Sequence, residues 1–269
     1  MKGRASLFLV NLNPIWCYNL PVSTQEAGPK LNLLLDGCRE LGIPIDEHQQ
    51  EQFARYSTTL ADWNQRVNLT SIVEPEAVQT LHFLDSLTVA GALPTKSLQS
   101  GRVLDVGAGA GFPGVPLKII FPGIKLGLLE ATGKKVIFLR HLVDYLGLAD
   151  VEVQLGRAED LANDSALRES FDVVLARGLA KMAALVELTL PFLKTAGLLV
   201  AHKKGDIDQE LTDAAKAIKL MGGKAPNLRE VNAPGLTDGR VLVVVEKVSP
   251  TPVGYPRRAG MPAKQPIGV

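Results

Sequence analysis

Residues 103–116 read VLDVGAGAGFPGVP. A short apolar run at 103–106 gives way to glycines at 107, 109, 111 and 114, and apolar residues resume at Val115. This is the pattern of a β-strand that turns sharply into a helix, through a loop whose backbone amides can approach a ligand that any Cβ would hold off. Taken as Gly109, Gly111 and Gly114, the spacing also satisfies the dinucleotide fingerprint, so the loop alone leaves the ligand open.

Toward the C-terminus, apolar runs at 125–129, 151–155, 171–175 and 197–201 alternate with helical patterns at 115–121, 134–146, 182–193 and 207–221. That alternation predicts a doubly wound parallel sheet. Two last strands, 228–231 and 240–248, are separated by Pro234 and Gly235 with no room for a crossover helix, so they are expected to pair antiparallel. An antiparallel last strand is typical of methyltransferases that use S-adenosylmethionine and unusual for a nicotinamide domain.

Toward the N-terminus the period is helical. Leu31, Leu34, Leu35, Cys38 and Leu41 form one stripe, stopped by Gly42; Asp46 caps a second helix carrying Phe53, Tyr56, Leu60 and Trp63; a third amphipathic segment spans 74–92. This front end reads as a helical cap without chemistry of its own. Residues 1–29, with Pro14, Pro21 and Pro29 and no sustained period, read as a loosely ordered extension. The expected organisation is therefore an extension (1–29), a helical subdomain (30–100), the sheet domain (101–249) and a C-terminal arm (250–269).

Composition sets the outer bounds. A chain of 269 residues, 46% hydrophobic, can bury a full core. Its 29 basic and 28 acidic residues neither demand nor forbid a nucleic-acid partner, which must be met by local patches. Cys17, Cys38 and the four histidines never fall at metal-ligand spacing, so no metal is expected. Lys2 and Arg4 precede an apolar run that Asn11 cuts at four residues, and no stretch reaches the length of a membrane span, so the chain reads as cytoplasmic.

The residues around the loop bear on the ligand. A pyrophosphate would be repelled by Asp105 at the loop's mouth, whereas S-adenosylmethionine carries a cationic sulfonium, an amino-acid tail, a ribose and an adenine. Glu130 ends the second strand, 19 residues after Gly111, where an acid can accept both ribose hydroxyls. Ala131 and Thr132 follow it, Ala158 and Glu159 stand where an adenine would lie, and Phe112 supplies apolar surface. The alternatives are glycines of a purely structural turn and a Glu130 that only caps the next helix. Arg177 ends the fourth strand, facing the crevice, either to orient a ligand or to pair with Glu159 or Glu187. Lys134, Lys135, Arg140, Lys203 and Lys204 are expected on the same rim, as phosphate contacts or as a solvated face. Lys247, Arg257, Arg258 and Lys264 occur without an acid from 247 to 269, which suggests an extended arm over RNA. His82 with Asp85 is an ion-paired helix residue or a substrate contact, and Trp63, Asn64 and Asn68 serve a base or the core and turns.

Trp63, Asn64, Asn68 through Ser71, then His82, Leu84, Asp85 and Ser86, then Asp105 through Pro116, then Gly133, Lys134, Lys135 and Arg177 together resemble the RsmG (GidB) family of ribosomal RNA guanine-N7 methyltransferases. The run Tyr255, Pro256, Arg257, Arg258, Gly260, Pro262, Lys264, Pro266 is similar to the tail of its longer members. The resemblance implies a class I S-adenosylmethionine-dependent methyltransferase fold, Rossmann-like, with cofactor contacts from Gly107, Phe112, Glu130, Ala131, Thr132, Ala158, Glu159 and Arg177. It implies as substrate a guanosine in the decoding-region loop of 16S ribosomal RNA, free or within the small subunit. Guanine N7 carries a lone pair in the neutral base, so no general base is expected, and catalysis is expected to rest on orientation. On this reading, deleting 257–269 weakens RNA methylation and spares cofactor binding.

Overall fold

The computed structural model describes residues 30–269, so the expectation for 1–29 lies outside the described residues. The chain opens with α1 (Asn32–Glu40), α2 (Glu47–Val67), α3 (Pro75–Ala77), a π-helical stretch (Val78–Leu84), α4 (Asp85–Leu87), a 3-10 turn (Thr88–Ala92) and α5 (Thr95–Ser100). There follow β1 (Arg102–Val106), α6 (Gly114–Ile120), β2 (Lys125–Glu130), α7 (Gly133–Tyr145), β3 (Val151–Leu155), α8 (Ala158–Leu161) and β4 (Phe171–Arg177). The remainder is α9 (Met182–Thr189), β5 (Leu193–Lys204), α10 (Asp208–Leu220), β6 (Asn227–Glu230), β7 (Arg240–Glu246) and α11 (Met261–Lys264).

The described strands form one seven-stranded sheet in the order β3-β2-β1-β4-β5-β7-β6. β1 to β5 are mutually parallel, and β7 runs antiparallel to both β5 and β6, as expected for the last pair. The chain winds from β1 out to β3 and returns to β4 on the other side of β1, so the topological switch lies between β1 and β4. Ligands in such sheets bind at that switch, outside the carboxyl ends of the strands.

Alternation along the strands divides the core. Val103, Leu126, Leu128, Val173 and Leu175 face one buried layer together with α6, α7 and the N-terminal helices. Leu104, Val174, Leu199, Val243 and Val245 face the other, with α9 and α10. The N-terminal helices thus share one continuous core with the sheet. Phe53, Tyr56 and Phe83, none of them exposed, bind the two parts together, each by about 3 kcal/mol or more relative to alanine.

Local rules fix the helices that carry the site. Asp46 closes a capping box: its Oδ1 accepts from Gln49 N at 2.8 Å while Asp46 N donates to Gln49 Oε1 at 3.0 Å. α2 ends at Asn68 in the left-handed region, φ +45°, and Asn64 Oδ1 accepts from Leu69 N and Thr70 N. Asn64 and Asn68 are therefore turn residues, and Trp63 packs edge-on against Phe138 at 5.6 Å.

The third segment departs from expectation. Instead of one amphipathic helix over 74–92, a π-helical stretch is flanked by short α and 3-10 pieces, and every residue from His82 to Val89 is buried. A segment enclosed on all sides has no solvent face to set a 3.6-residue stripe, and the widened π turn, a feature common at functional sites, is part of how it lies against the sheet.

Candidate active site

The loop after β1 takes its shape from glycines in the left-handed region, with φ +75° at Gly107 and +96° at Gly111. A Cβ on Gly107 would lie 2.8 Å from Leu179, and one on Gly111 would lie 2.7 Å from the Tyr56 hydroxyl. Beneath the loop, Asp105 is fully buried: Oδ2 accepts from Gly114 N at 2.8 Å and Oδ1 has no partner. Burial pushes this carboxyl up to about 7, against the opposing effect of the Gly114 amide. Asp105 therefore orders the turn from beneath and exposes no side-chain surface to the crevice.

Glu130 ends β2 on the same side. Its Oε2 accepts from Gly109 N at 3.0 Å and its Oε1 from Thr132 N at 2.8 Å, so the carboxylate is clamped between the β1 and β2 loops. Each oxygen accepts one bond from the chain, and a carboxylate has about four lone-pair sites, so each keeps capacity for a hydroxyl. Ala131 and Thr132 are exposed beside it. Ala158 and Glu159 begin α8, at the end of the neighbouring strand β3, and both are buried.

The N-terminal helices pack against the loop after β1, bringing Tyr56 and His82 to it and Asp85 to Arg177. The Phe112 ring stacks on His82, centroids 4.3 Å apart, and on Tyr56 at 5.2 Å. Only 4% exposed, it joins loop to cap and leaves little side-chain surface for a ligand. The Tyr56 hydroxyl donates to Ala110 O.

Arg177 lies at the centre of this junction and pairs with neither Glu159 nor Glu187. Its Nη1 donates to Asp85 Oδ2 at 2.9 Å and to Leu81 O at 3.1 Å, its Nη2 donates to His82 Nδ1 at 3.0 Å, and its guanidinium carbon is 5.0 Å from the Phe112 ring centroid. Arg240 from β7 reaches the same Asp85 Oδ2 at 3.1 Å and also pairs with Asp238 at 2.9 Å. Asp85 is fully buried and its Oδ1 has no partner. Arginine can only donate, so His82 Nδ1 accepts and Nε2 carries the proton, donated to Thr70 Oγ1 at 2.8 Å. Burial and the Arg177 charge push His82 down to about 3, so the ring is neutral with both nitrogens engaged. It does not serve as a proton acceptor. His202, also held down by burial, lies 3.1 Å through Nε2 from Asp85 O.

Tyr56, Arg240 and His202 were not singled out from sequence, and Asp85 only as a neighbour of His82. The one available signal was an acid in the stretch 81–90, LHFLDSLTVA, which carries no other formally charged residue at neutral pH. Arg240 and His202 reach the network through strand pairing that sequence spacing does not reveal.

The cations divide. Lys134 is exposed and Lys135 half-buried at the start of α7, on the rim beside Glu130. Lys204 is exposed but paired with Asp238 at 2.8 Å. Lys203 is turned inward, donating to Glu210 Oε1 at 2.6 Å and to Ala180 O at 2.8 Å, which removes it from the phosphate-binding set. Arg140 is exposed but seven residues along α7, about 10 Å from its start and away from the rim. Arg258 and Lys264 are exposed, whereas Arg257 is bound to Glu187. The extended arm is corrected in the same way, since the tail folds back onto the protein and carries α11. A cavity of about 240 Å³ lined by Arg102, Leu126, Asp150 and Phe171 opens at the opposite ends of the strands, away from the loops after β1 and β2. Among the described residues there is no cluster able to hold a metal and no helix long and apolar enough to cross a membrane.

Residues 49–237 match the GidB family model, described as rRNA small subunit methyltransferase G. A protein of that name from Dehalococcoides mccartyi (strain CBDB1) is 50% identical over 239 residues, covering 88% of this chain and all of the relative. Its namesake from Roseiflexus sp. (strain RS-1) is 44% identical over 240 residues, with 88% and 100% covered. Among solved structures, a SAM-dependent methyltransferase from Aquifex aeolicus is similar at 19% identity and a TM-score of 0.46, covering 65% of this chain and 99% of that one.

Proposed function

This chain belongs to the GidB family of small-subunit ribosomal RNA methyltransferases, and we propose that it transfers a methyl group from S-adenosylmethionine to N7 of a guanosine in the decoding-region loop of 16S ribosomal RNA. The observation that carries the reading is Glu130. Its carboxylate is fixed by amides of two loops at the switch point of the sheet and keeps acceptor capacity for two hydroxyls, which fits a ribose. Gly107 supplies close backbone approach, Ala131 and Thr132 flank the ribose, and Ala158 with Glu159 form the wall for the adenine.

When bound, S-adenosylmethionine supplies a methyl group activated by the sulfonium charge. The chain's own task is orientation, because the guanine N7 lone pair needs no prior deprotonation. That agrees with a site in which His82 is neutral and doubly engaged and Asp105 is sealed under the loop. Arg177 uses three N–H bonds in the cap junction and has five, so two are left to orient cofactor or base. Its charge sits in a network where Asp85 and Asp238 face Arg177, Arg240 and Lys204, so the two carboxylates offset part of its opposition to positive charge arriving on the purine. Exposed Lys134, Arg258 and Lys264 are left to meet RNA phosphates, with Lys135 and Lys204 at the edge of that set. The setting is the cytoplasm, where ribosomal RNA is the partner.

The test is calorimetry with S-adenosylmethionine and, separately, with a nicotinamide dinucleotide. Binding of the first and none of the second is expected; the reverse would overturn the reading. Methyl transfer to naked 16S RNA and to small subunits then identifies the form of the substrate.

A further inference from the structure

The C-terminal segment is anchored by buried polar groups that the proposed reaction does not use. Lys247, unexposed just after β7, donates to Glu169 Oε1 at 2.9 Å, Leu190 O at 2.7 Å and Thr251 Oγ1 at 2.7 Å. Arg168, from the segment between α8 and β4, donates to Tyr255 O at 2.8 Å and Thr251 O at 3.2 Å. Arg257 then grips the unexposed Glu187 of α9 with both its backbone N–H, at 2.8 Å, and a bidentate fork, at 2.9 and 2.6 Å. Three residues later the chain turns at Gly260, φ +82°, and Gly260 N donates to Glu159 Oε1 at 2.8 Å. Beyond α11, Ile267 is buried in the core layer of α9 and α10.

The segment therefore runs as a strap from the end of β7 to the first turn of α8. Its last polar anchor is the carboxylate of Glu159, and Glu159 Oε2 has no hydrogen-bond partner among the described residues. α8 is a single turn of four residues, too short to hold its own position, so what packs on it decides where Ala158 and Glu159 stand.

We propose that the C-terminal strap is a positioning element of the cofactor pocket: docked on Glu187 through Arg257 and on Glu159 through Gly260, it fixes α8 and orients Glu159 toward the adenine of S-adenosylmethionine. The proposal rests on the assignment of α8 as the adenine wall. It reverses the expectation from charge alone, that the tail is an RNA arm whose removal spares the cofactor. Arg257 is unavailable to a phosphate, since its charge is opposed at contact distance by a fully buried carboxylate.

Two full-domain variants test it. One ends the chain at Ala259, keeping the Lys247, Arg168 and Arg257 anchors but losing the Gly260 amide. The other, Gly260→Pro, removes only that N–H and the left-handed turn. S-adenosylhomocysteine affinity by calorimetry, KM for S-adenosylmethionine, and RNA affinity over a salt series are measured on both, with a thermal melt to verify folding. The expected result is an about five- to tenfold loss of S-adenosylhomocysteine affinity, about the size of one ordinary hydrogen bond, with KM rising in step. In the Gly260→Pro variant RNA affinity and its salt slope stay as in the wild type. Unchanged cofactor affinity in folded variants overturns the proposal, whether or not RNA binding falls. Glu159→Ala separates the two levels: if it leaves cofactor affinity untouched, the assignment of α8 fails, whereas if it weakens binding and the strap variants do not, only the strap's role fails.

Discussion

Glu130 holds two loop amides at the sheet's switch point, and Asp85 holds two arginines at the cap junction. Glu130→Ala removes the acceptor assigned to the ribose and frees two loop amides, so cofactor affinity is expected to fall by about a hundredfold, two hydrogen bonds to a charged group, as read by calorimetry. A change under threefold would remove the ribose assignment. Asp85→Ala leaves two arginines without their shared buried carboxylate, and urea denaturation is expected to show a loss of about 3 kcal/mol. The titrating pair beside them gives a pH prediction of opposite signs. His82 is held at about 3, so between its unfolded value near 6.5 and that point the unfolded chain binds the proton and acid removes stability. Asp105 is raised to about 7, so from about 7 down to its unfolded value near 3.8 the folded protein binds the proton and acid adds stability. Denaturation midpoints at about pH 5 and 7 should therefore fall more steeply toward acid in Asp105→Asn than in the wild type, and less steeply in His82→Gln, by up to about 1.4 kcal/mol per pH unit each. Parallel profiles for all three proteins would show that neither group is perturbed as described.

At the scale of elements, what sequence disclosed was what local chemistry dictates. The cap at Asp46, the stop at Gly42, the five parallel strands and the antiparallel last pair all follow from periodicity, capping and the lack of room for a crossover. Asp46→Ala should accordingly cost about 1 kcal/mol in a urea titration, with the m-value unchanged. The elements that sequence did not disclose are those whose shape is imposed from outside. The stretch from Val78 to Ala92 is enclosed by sheet and cap, so its π turn and its buried Asp85 answer to tertiary partners and not to a 3.6-residue stripe. α8 has four residues, below the length at which a period can be recognised. The tail has the prolines, glycines and unopposed cations of an extended arm, yet the acids that balance it, Glu187, Glu159 and Glu169, lie some 70 to 100 residues earlier in the chain. Charge counted along a segment does not see them.

For the whole molecule, those folded-back contacts change where RNA can be met. With Lys203 and Arg257 internally paired, the electropositive surface contracts to the start of α7 and the outer residues of the tail. The placement of the expected site residues was legible where they stand at the ends of consecutive strands, as Gly107, Glu130 and Ala158 do. It was illegible where the cap and β7 bring Tyr56, Asp85 and Arg240 to Arg177 across the fold. On the proposed reading, this assembled crevice moves a methyl group to guanine N7 in small-subunit ribosomal RNA by orientation alone. Its most direct test is transfer of labelled methyl from S-adenosylmethionine to 16S RNA and to small subunits lacking the modification, followed by nucleoside analysis and mapping by cleavage at N7-methylated guanosines. Label is expected in a single guanosine of the decoding-region loop, as N7-methylguanosine. Label on another atom or another RNA, or none on either substrate with cofactor binding intact, would contradict it.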